Sequence, residues 1–295
     1  MKVSFLGLGA IGRPMAKRVA EAGFELTVWN RTARKALELA RATGARVAKT
    51  PAEASRGAEV VVTCLSTSHD VEYLLGQPEG LLVGLERGAV LVDCTSGDPA
   101  TSRRIAERLH EREVSFVDAP VSGGTSGAEK GTLTIMCGGD AEVLERVRPV
   151  LASFGQKIVH CGNVGTGDLV KAINQALLAI HIWSAGEALA TAVKGGVSPA
   201  VALDVINASS GRSNASMNLF PERVLTRAFP RTFRLALLDK DVNIAADVAR
   251  HEQVPAPFFE LAAGLFKSAR KQLGEEADHV EAVKIVEQWA RTEIR

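Results

Sequence analysis

The sequence predicts an α/β fold: a doubly wound parallel sheet in the N-terminal half, followed by an all-α C-terminal domain. Three observations carry this. Short, valine-rich apolar runs alternate with helical segments as far as His160. A glycine turn, Gly7-Leu8-Gly9-Ala10-Ile11-Gly12, joins the first such run to the first helical segment. Beyond Gly162, apolar residues recur only at helical spacing. The boundary is therefore expected near residue 163, giving residues 1–163 to the sheet domain and residues 164–295 to the helical one.

Val3-Ser4-Phe5-Leu6 has strand character and Ile11 to Ala22 carries apolar residues at helical spacing, so the chain opens as strand, tight turn and helix. In a Rossmann dinucleotide-binding unit, Gly7 permits the sharp turn, Gly9 lets the backbone approach a pyrophosphate, and Gly12 brings helix and strand together. The free N–H groups of the first helical turn then hold the anion. The alternative is a glycine turn in an ordinary α/β sheet. The second strand, Glu25 to Trp29, ends where a residue would meet the adenosine ribose, and this context favours dinucleotide binding.

Ala33 to Ala42 reads as a helix stopped by Gly44, and Arg46-Val47-Ala48 as a short strand. Thr50-Pro51-Ala52-Glu53 is a helix start with a capping threonine, a first-turn proline and a glutamate placed to return a hydrogen bond. Glu59 to Leu65 is too short for a free-standing helix and reads as a buried parallel strand. The alternation continues with helix Asp70 to Leu75, strand Ala89 to Val92, helix Pro99 to Arg112 and strand Val114 to Val117. Right-handed crossovers are expected between these strands. Thr132 to Cys137 and Lys157 to His160 add two strands around a helix from Ala141 to Ala152.

Asp168 to Lys194 has no proline and only Gly186 as glycine, and reads as one long helix. Asp168, Lys171, Asn174, Gln175, His181, Ser184 and Glu187 interrupt its apolar surface, which argues against a membrane span. Ser198-Pro199 starts another helix, and Asp239 to Arg250, Phe258 to Gln272 and His279 to Arg291 follow. A helix this apolar is hard to cover within one chain, so a homodimer or homotetramer is expected.

With 295 residues, 46% of them hydrophobic and 23% charged, and a net charge of +1, the chain can bury a large core and gives no reason to invoke nucleic acid or an acidic membrane surface. No secretory pattern is visible, so a cytoplasmic location is expected. Cys64, Cys94, Cys137 and Cys161 form no CxxC pair and have no histidine cluster near them; free buried thiols are expected rather than a disulfide or a metal site. His181 reads as a core residue.

The ribose position selects the cofactor. A carboxylate there accepts from the 2′-hydroxyl of NAD and repels the 2′-phosphate of NADP, which arginine attracts. Here the strand ends in Trp29-Asn30-Arg31-Thr32: Asn30 is uncharged, Arg31 offers a guanidinium and Thr32 a hydroxyl, so NADP(H) is favoured over NAD(H). The competing reading is that Asn30 starts the next helix and Arg31 faces solvent. Ligands of doubly wound sheets sit at the carboxyl ends of strands. Three such ends are rich in small polar residues: Cys64-Leu65-Ser66-Thr67, Asp93-Cys94-Thr95-Ser96 and Asp118-Ala119-Pro120-Val121-Ser122-Gly123-Gly124. The last can present Ser122 and glycine N–H groups to a carboxylate. In Gly165-Thr166-Gly167-Asp168-Leu169-Val170-Lys171-Ala172-Ile173-Asn174, Lys171 and Asn174 share a helix face. A lysine there is either a proton donor tuned by its surroundings or a solvated end on a buried stem. Asp239-Lys240-Asp241 reads as a solvated helix turn.

Taken together, the glycine turn continued by Arg13-Pro14-Met15-Ala16, the Asp118 to Gly124 stretch, the Gly165 to Asn174 stretch and Lys240-Asp241 resemble the β-hydroxyacid dehydrogenase family over nearly the whole chain. That resemblance implies a hydride transfer between a nicotinamide cofactor and a small β-hydroxyacid or its semialdehyde, in a cleft between domains. It makes Lys171 the catalytic lysine. Ser122, Gly123, Gly124 and Asn174 become substrate-carboxylate contacts, and Lys240 a lysine reaching the substrate and nicotinamide region. Gly7 to Gly12, Asn30, Arg31, Thr32, Leu65, Ser66, Thr95 and Ser96 become cofactor contacts. The chain departs from the family's pattern at Ser66, where proline is common, and at Asp98, whose preceding residue Gly97 is often larger. Ile206-Asn207-Ala208-Ser209-Ser210-Gly211-Arg212-Ser213 looks most like the 3-hydroxyisobutyrate branch, whereas the Asn30-Arg31-Thr32 ending looks more like NADPH-using tartronate or glyoxylate/succinic semialdehyde reductases. Against 6-phosphogluconate dehydrogenase stands the shorter helical domain. Against imine reductases, and against a silent cofactor-binding scaffold, stands the retained Lys171.

Overall fold

Valine-rich runs bounded by turn residues become strands buried on both faces, as a parallel sheet covered by helices requires. The structure, a computed structural model, describes residues 1–295, which divide into two units, residues 1–171 and 172–295. In the first unit β1 (Lys2–Leu6), β2 (Glu25–Trp29), β3 (Arg46–Val47), β4 (Val60–Thr63), β5 (Val90–Asp93) and β6 (Ser115–Asp118) lie parallel in the order β3-β2-β1-β4-β5-β6. Alternate residues enter two separate cores. Val3, Phe5, Val28, Val62 and Val92 face one, and Leu6, Val61, Leu91 and Phe116 face the other. Helices α1 (Gly12–Glu21) and α2 (Ala33–Thr43) contribute Met15, Val19 and Leu39 to the first core. Helices α3 (Pro51–Ser55), α4 (Ser68–Gly76), α5 (Leu81–Gly84) and α6 (Pro99–His110) include Ala54, Val71, Leu81 and Ile105 in the second.

The far edge differs from the expected parallel run. After β6 the chain makes β7 (Val121–Ser122) and the short α7 (Gly124–Lys130), then returns as β8 (Leu133–Gly138) antiparallel to both β6 and β7. Helix α8 (Ala141–Ala152) then leads to β9 (Gly155–Gly162), parallel to β8. Alternating strand and helix patterns read the same for either strand direction. A two-residue strand such as β7 is too brief to show a periodicity.

The second unit is helical. Helix α9 (Thr166–Lys194) begins in the first unit and runs on into the second. It is followed by α10 (Pro199–Ala208), a π-helical stretch (Ala215–Val224), α11 (Leu235–His251), α12 (Pro257–Leu273), a 3₁₀ turn (His279–Ala282) and α13 (Val283–Ala290). The π-helical stretch, with Pro221 inside it, falls where no element was expected. The expected helix from His279 begins as the 3₁₀ turn, capped by Asp278 and Glu281 reciprocally. Although α9 is long and apolar enough to cross a membrane, with mean hydropathy 1.4, its Ala179, Ile182, Trp183 and Leu189 belong to a core that also contains Phe220, Leu238, Phe266 and Val283.

Candidate active site

The glycine turn is built as its spacing suggests. Gly7 has φ +101°, which favours glycine, and a Cβ there would stand 2.3 Å from the Cys64 carbonyl oxygen. A Cβ on Gly12 would stand 2.0 Å from the Gly7 carbonyl oxygen, so α1 lies against the turn. Around Gly9 no protein atom comes within 4 Å of such a Cβ, and the residue is exposed. Ala10 is exposed, and Ile11 sits at the N-cap of α1 with no side chain capping the first turn and no acidic residue in it. A backbone cradle open at Gly9, with a helix N-terminus beyond it, fits a dinucleotide pyrophosphate.

Asn30 does not start α2; Thr32 holds that N-cap, without a side-chain hydrogen bond. Instead the Asn30 carboxamide accepts from the Leu8 N–H at 2.8 Å and donates to the Thr32 carbonyl at 3.1 Å, joining the glycine turn to the end of β2. Arg31 and Thr32 are exposed beside it. At the next strand ends the Leu65 N–H donates to Thr95 Oγ1 at 2.9 Å, while Ser66 is exposed and Ser96 half-buried. Below them Asp93 Oδ1 accepts from Thr63 Oγ1 at 2.8 Å and from the Thr95 N–H at 3.0 Å, while its Oδ2 is buried with no partner. Burial pushes this carboxyl up to about 6, against the hydrogen bonds from Thr95 and Thr63. Burial also pushes the Cys64 thiol up to about 12, with the Asp93 charge adding to it. All four cysteines are free; Cys94 and Cys137 are buried, Cys64 and Cys161 only partly.

Ser122 lies on β7, paired with Thr134, and is followed by Gly123 (φ +133°) and Gly124 (φ +65°) at the start of α7. Lys171, one turn into α9, is only 7% exposed, which leaves little room for a solvated end. On the same helix Asn174 donates to Gln175 Oε1 at 3.3 Å, and Gln175 Nε2 donates to Asp241 Oδ2 at 3.1 Å. The other Asp241 oxygen lies 2.8 Å from Lys240 Nζ. Asn174 and Lys240, chosen from the sequence, are thus joined through Gln175 and Asp241. The Asp239-Lys240-Asp241 turn is not solvated: both carboxylates are buried, Asp239 against Arg270.

Sequence reasoning also passed over Asp118 and Asp168. Asp118 Oδ1 accepts from the Gly165 N–H at 2.7 Å and its Oδ2 from the Asp168 N–H at 3.0 Å. Asp168 Oδ1 accepts from the Gly97 N–H at 2.9 Å, and its Oδ2 lies 2.7 Å from Ser102 Oγ. The small residues Gly97, Gly165 and Gly167 were the available signal.

The strand–glycine–helix cradle, the Gly123–Gly124 turn after β7 and the buried Lys171 of α9 are the parts that hydride transfer with a nicotinamide dinucleotide needs. Comparison with known proteins agrees. The NAD-binding domain of 6-phosphogluconate dehydrogenase matches residues 2–162, and the NAD-binding domain of NADP-dependent 3-hydroxyisobutyrate dehydrogenase matches residues 165–286. 2-(Hydroxymethyl)glutarate dehydrogenase from Eubacterium barkeri is 34% identical, over 98% of this chain and 95% of its own length. 3-Hydroxyisobutyrate dehydrogenase from Pseudomonas aeruginosa is 36% identical, over 90% of each. A solved 3-hydroxyisobutyrate dehydrogenase from Mycobacterium tuberculosis, with L-serine, superposes with a TM-score of 0.88 at 28% identity, covering 97% of this chain and 98% of that one. The chain belongs to the β-hydroxyacid dehydrogenase family, NAD(P)-dependent enzymes that act on CH–OH groups.

Proposed function

We propose that this enzyme interconverts a 2-substituted 3-hydroxypropionate and its semialdehyde with NADP(H), with 3-hydroxyisobutyrate as the leading substrate. The observation that carries the reading is the buried Lys171 of a chain in this family. The names of the relatives supply the substrate class. 2-(Hydroxymethyl)glutarate, 3-hydroxyisobutyrate and L-serine all contain a primary hydroxyl on the carbon β to a carboxylate and differ only in the substituent at C2.

Ser122 and the N–H groups after it at Gly123 and Gly124 bind the shared carboxylate, and Asn174 keeps the substrate contact that the family resemblance gives it. Lys171, as the ammonium, donates a proton to the oxygen of the aldehyde during reduction and stabilises the charge developing there. In oxidation the neutral amine takes the hydroxyl proton. Lys240, paired with Asp241, keeps the substrate contact that the family resemblance gives it. The nicotinamide supplies or accepts the hydride; the turn at Gly7 to Gly12 holds its dinucleotide. Asn30, uncharged, and Arg31, exposed, support NADP over NAD, as does the NADP-dependent enzyme in the description of the second family match. The same ending supports the second reading, a tartronate or glyoxylate/succinic semialdehyde reductase.

The reading is tested by oxidation of 3-hydroxyisobutyrate, L-serine, 2-(hydroxymethyl)glutarate and glycerate, and reduction of glyoxylate and succinic semialdehyde, each with both cofactors. A higher kcat/KM for 3-hydroxyisobutyrate, L-serine or 2-(hydroxymethyl)glutarate than for glycerate, with NADP(H), is expected. Faster turnover of glycerate, glyoxylate or succinic semialdehyde selects the second reading, and a preference for NAD(H) refutes the role given to Asn30 and Arg31. Exposed Val201, Val205, Phe258 and Leu261 support a homodimer or homotetramer, which light scattering tests.

A further inference from the structure

We propose that Asp168, braced by Asp118, is a positioning residue that sets Lys171 by locking the first turn of α9 to the loop that follows β5. The inference rests on Lys171 being the proton-transfer group. All the residues involved belong to the first unit.

The first turn of α9 is held twice. From below, the Asp118 carboxylate at the end of β6 accepts the N–H groups of Gly165 and Asp168. Gly167 permits this approach, because a Cβ there would stand 2.3 Å from the Met136 carbonyl oxygen and 2.8 Å from Asp118 Oδ2. From the side, Asp168 takes the Gly97 N–H on one oxygen and meets the Ser102 hydroxyl with the other. A Cβ on Gly97 would stand 2.9 Å from Asp168 Oδ2, so the small residue and the carboxyl group fit together. Lys171 follows Asp168 by three residues, about one helical turn, so a shift of that turn moves the lysine with it. Ser96 and Thr95, cofactor contacts by resemblance, immediately precede Gly97.

The arrangement is more than a helix cap. A solvent-exposed serine or threonine satisfies a helix start without desolvating a carboxyl group. Here both carboxyl groups are buried, 1% and 0% exposed, with no cation among these contacts. Burial raises both above the usual carboxylate range, and for Asp168 the charges of Asp118 and Asp93 add to it. Each of the four oxygens nevertheless has a protein partner, in contrast to Asp93, whose Oδ2 has none. What the costlier design adds over a cap is a fixed distance between the Thr95–Gly97 loop and the turn carrying Lys171.

The test compares Asp168→Ala, Asp168→Asn, Lys171→Ala and the Asp168→Ala/Lys171→Ala double variant in NADP⁺-dependent oxidation of 3-hydroxyisobutyrate by the full chain. A misplacement on the order of 1 Å costs roughly 100-fold, so Asp168→Ala is expected to lower kcat about 10- to 100-fold while KM changes less than about 3-fold. Asparagine keeps an acceptor for Gly97 and can donate to Ser102, so Asp168→Asn restores most of kcat. In the Lys171→Ala background, removing Asp168 lowers the residual rate by less than about 2-fold, because its effect passes through the lysine. A folded Asp168→Ala enzyme with wild-type kcat, or a double variant whose loss is the product of the single losses, overturns the proposal. If Asp168→Ala does not fold, Ser102→Ala removes one contact of the same latch, and a wild-type kcat there overturns it equally. Full turnover by Lys171→Ala is a different failure: it removes the proposed function itself.

Discussion

The glycines of the nucleotide turn make separable predictions, because two of them are fixed by protein atoms and one is not. In Gly12→Ala the new methyl must retreat from 2.0 Å to an ordinary contact at 3.4 Å, a displacement of 1.4 Å (3.4 − 2.0) against backbone rather than a flexible side chain. Overpacking of this kind costs about 1–3 kcal/mol, or about 2–12 °C in Tm for a unit of this size. Gly9→Ala meets no protein atom within 4 Å and has no left-handed φ to strain it, so its Tm should stay within about 1 °C of wild type. Its methyl does stand where a pyrophosphate approaches the backbone, so the Kd for NADP⁺ should rise at least about tenfold, equivalent to about 1.4 kcal/mol. Calorimetric melting and isothermal titration with NADP⁺ read the two effects independently. Wild-type affinity in Gly9→Ala, or an unchanged Tm in Gly12→Ala, would refute the reasoning about the turn.

Other predictions concern buried charge. In the helical unit, fully buried Asp278 accepts from the N–H groups of Thr232, Phe233 and Val280 and pairs with Arg223 and His279. Burial opposes its ionisation, but the His279 hydrogen bond and charge and the Phe233 and Thr232 N–H groups outweigh it, holding the carboxyl well below its ordinary 3.8. Its stabilisation is therefore present above about pH 4 and lost as pH falls further, and Asp278→Asn should flatten that acid limb of Tm against pH. Asp278→Ala should cost about 3–5 kcal/mol at neutral pH, read from denaturant unfolding. Asp93 has the opposite sign: with its carboxyl raised from 3.8 to about 6, its own contribution to stability is full below about pH 4 and is lost as pH rises through about 6, by about 3 kcal/mol. Asp93→Asn should make the slope of stability against pH there shallower and leave the part contributed by Asp118 and Asp168, whose carboxyls burial also raises; an unchanged slope would refute the role given to Asp93.

The nucleotide-binding sheet was legible because its physics is local. Val60-Val61-Val62 can only be a strand covered on both sides, and Gly7 to Gly12 sits where a helix must meet a strand closely. What escaped depends on contacts distant in sequence. The reversal of β8 against β6 is decided by a two-residue strand and a seven-residue helix, too short to carry a pattern. Asp241 looked solvated because Gln175, its buried partner, lies 66 residues away, and Asp168 read only as a polar break in an apolar helix because Ser102 is equally far. Asn30 looked like a helix start or a ribose contact; its carboxamide binds Leu8, 22 residues back, a bond no spacing rule reveals. The π-helical Ala215–Val224 has no periodicity by which a 3.6-residue template would find it.

The central claim is that Lys171 moves the proton, and the most direct measurement sets Lys171→Ala beside wild type in NADP⁺-dependent oxidation of 3-hydroxyisobutyrate, with cofactor affinity measured on the same samples. Proton transfer by a positioned side chain is worth roughly 10²- to 10⁴-fold, so kcat should fall by about that factor while the Kd for NADPH stays within about 2-fold. Wild-type kcat in the folded, cofactor-binding variant would contradict the account.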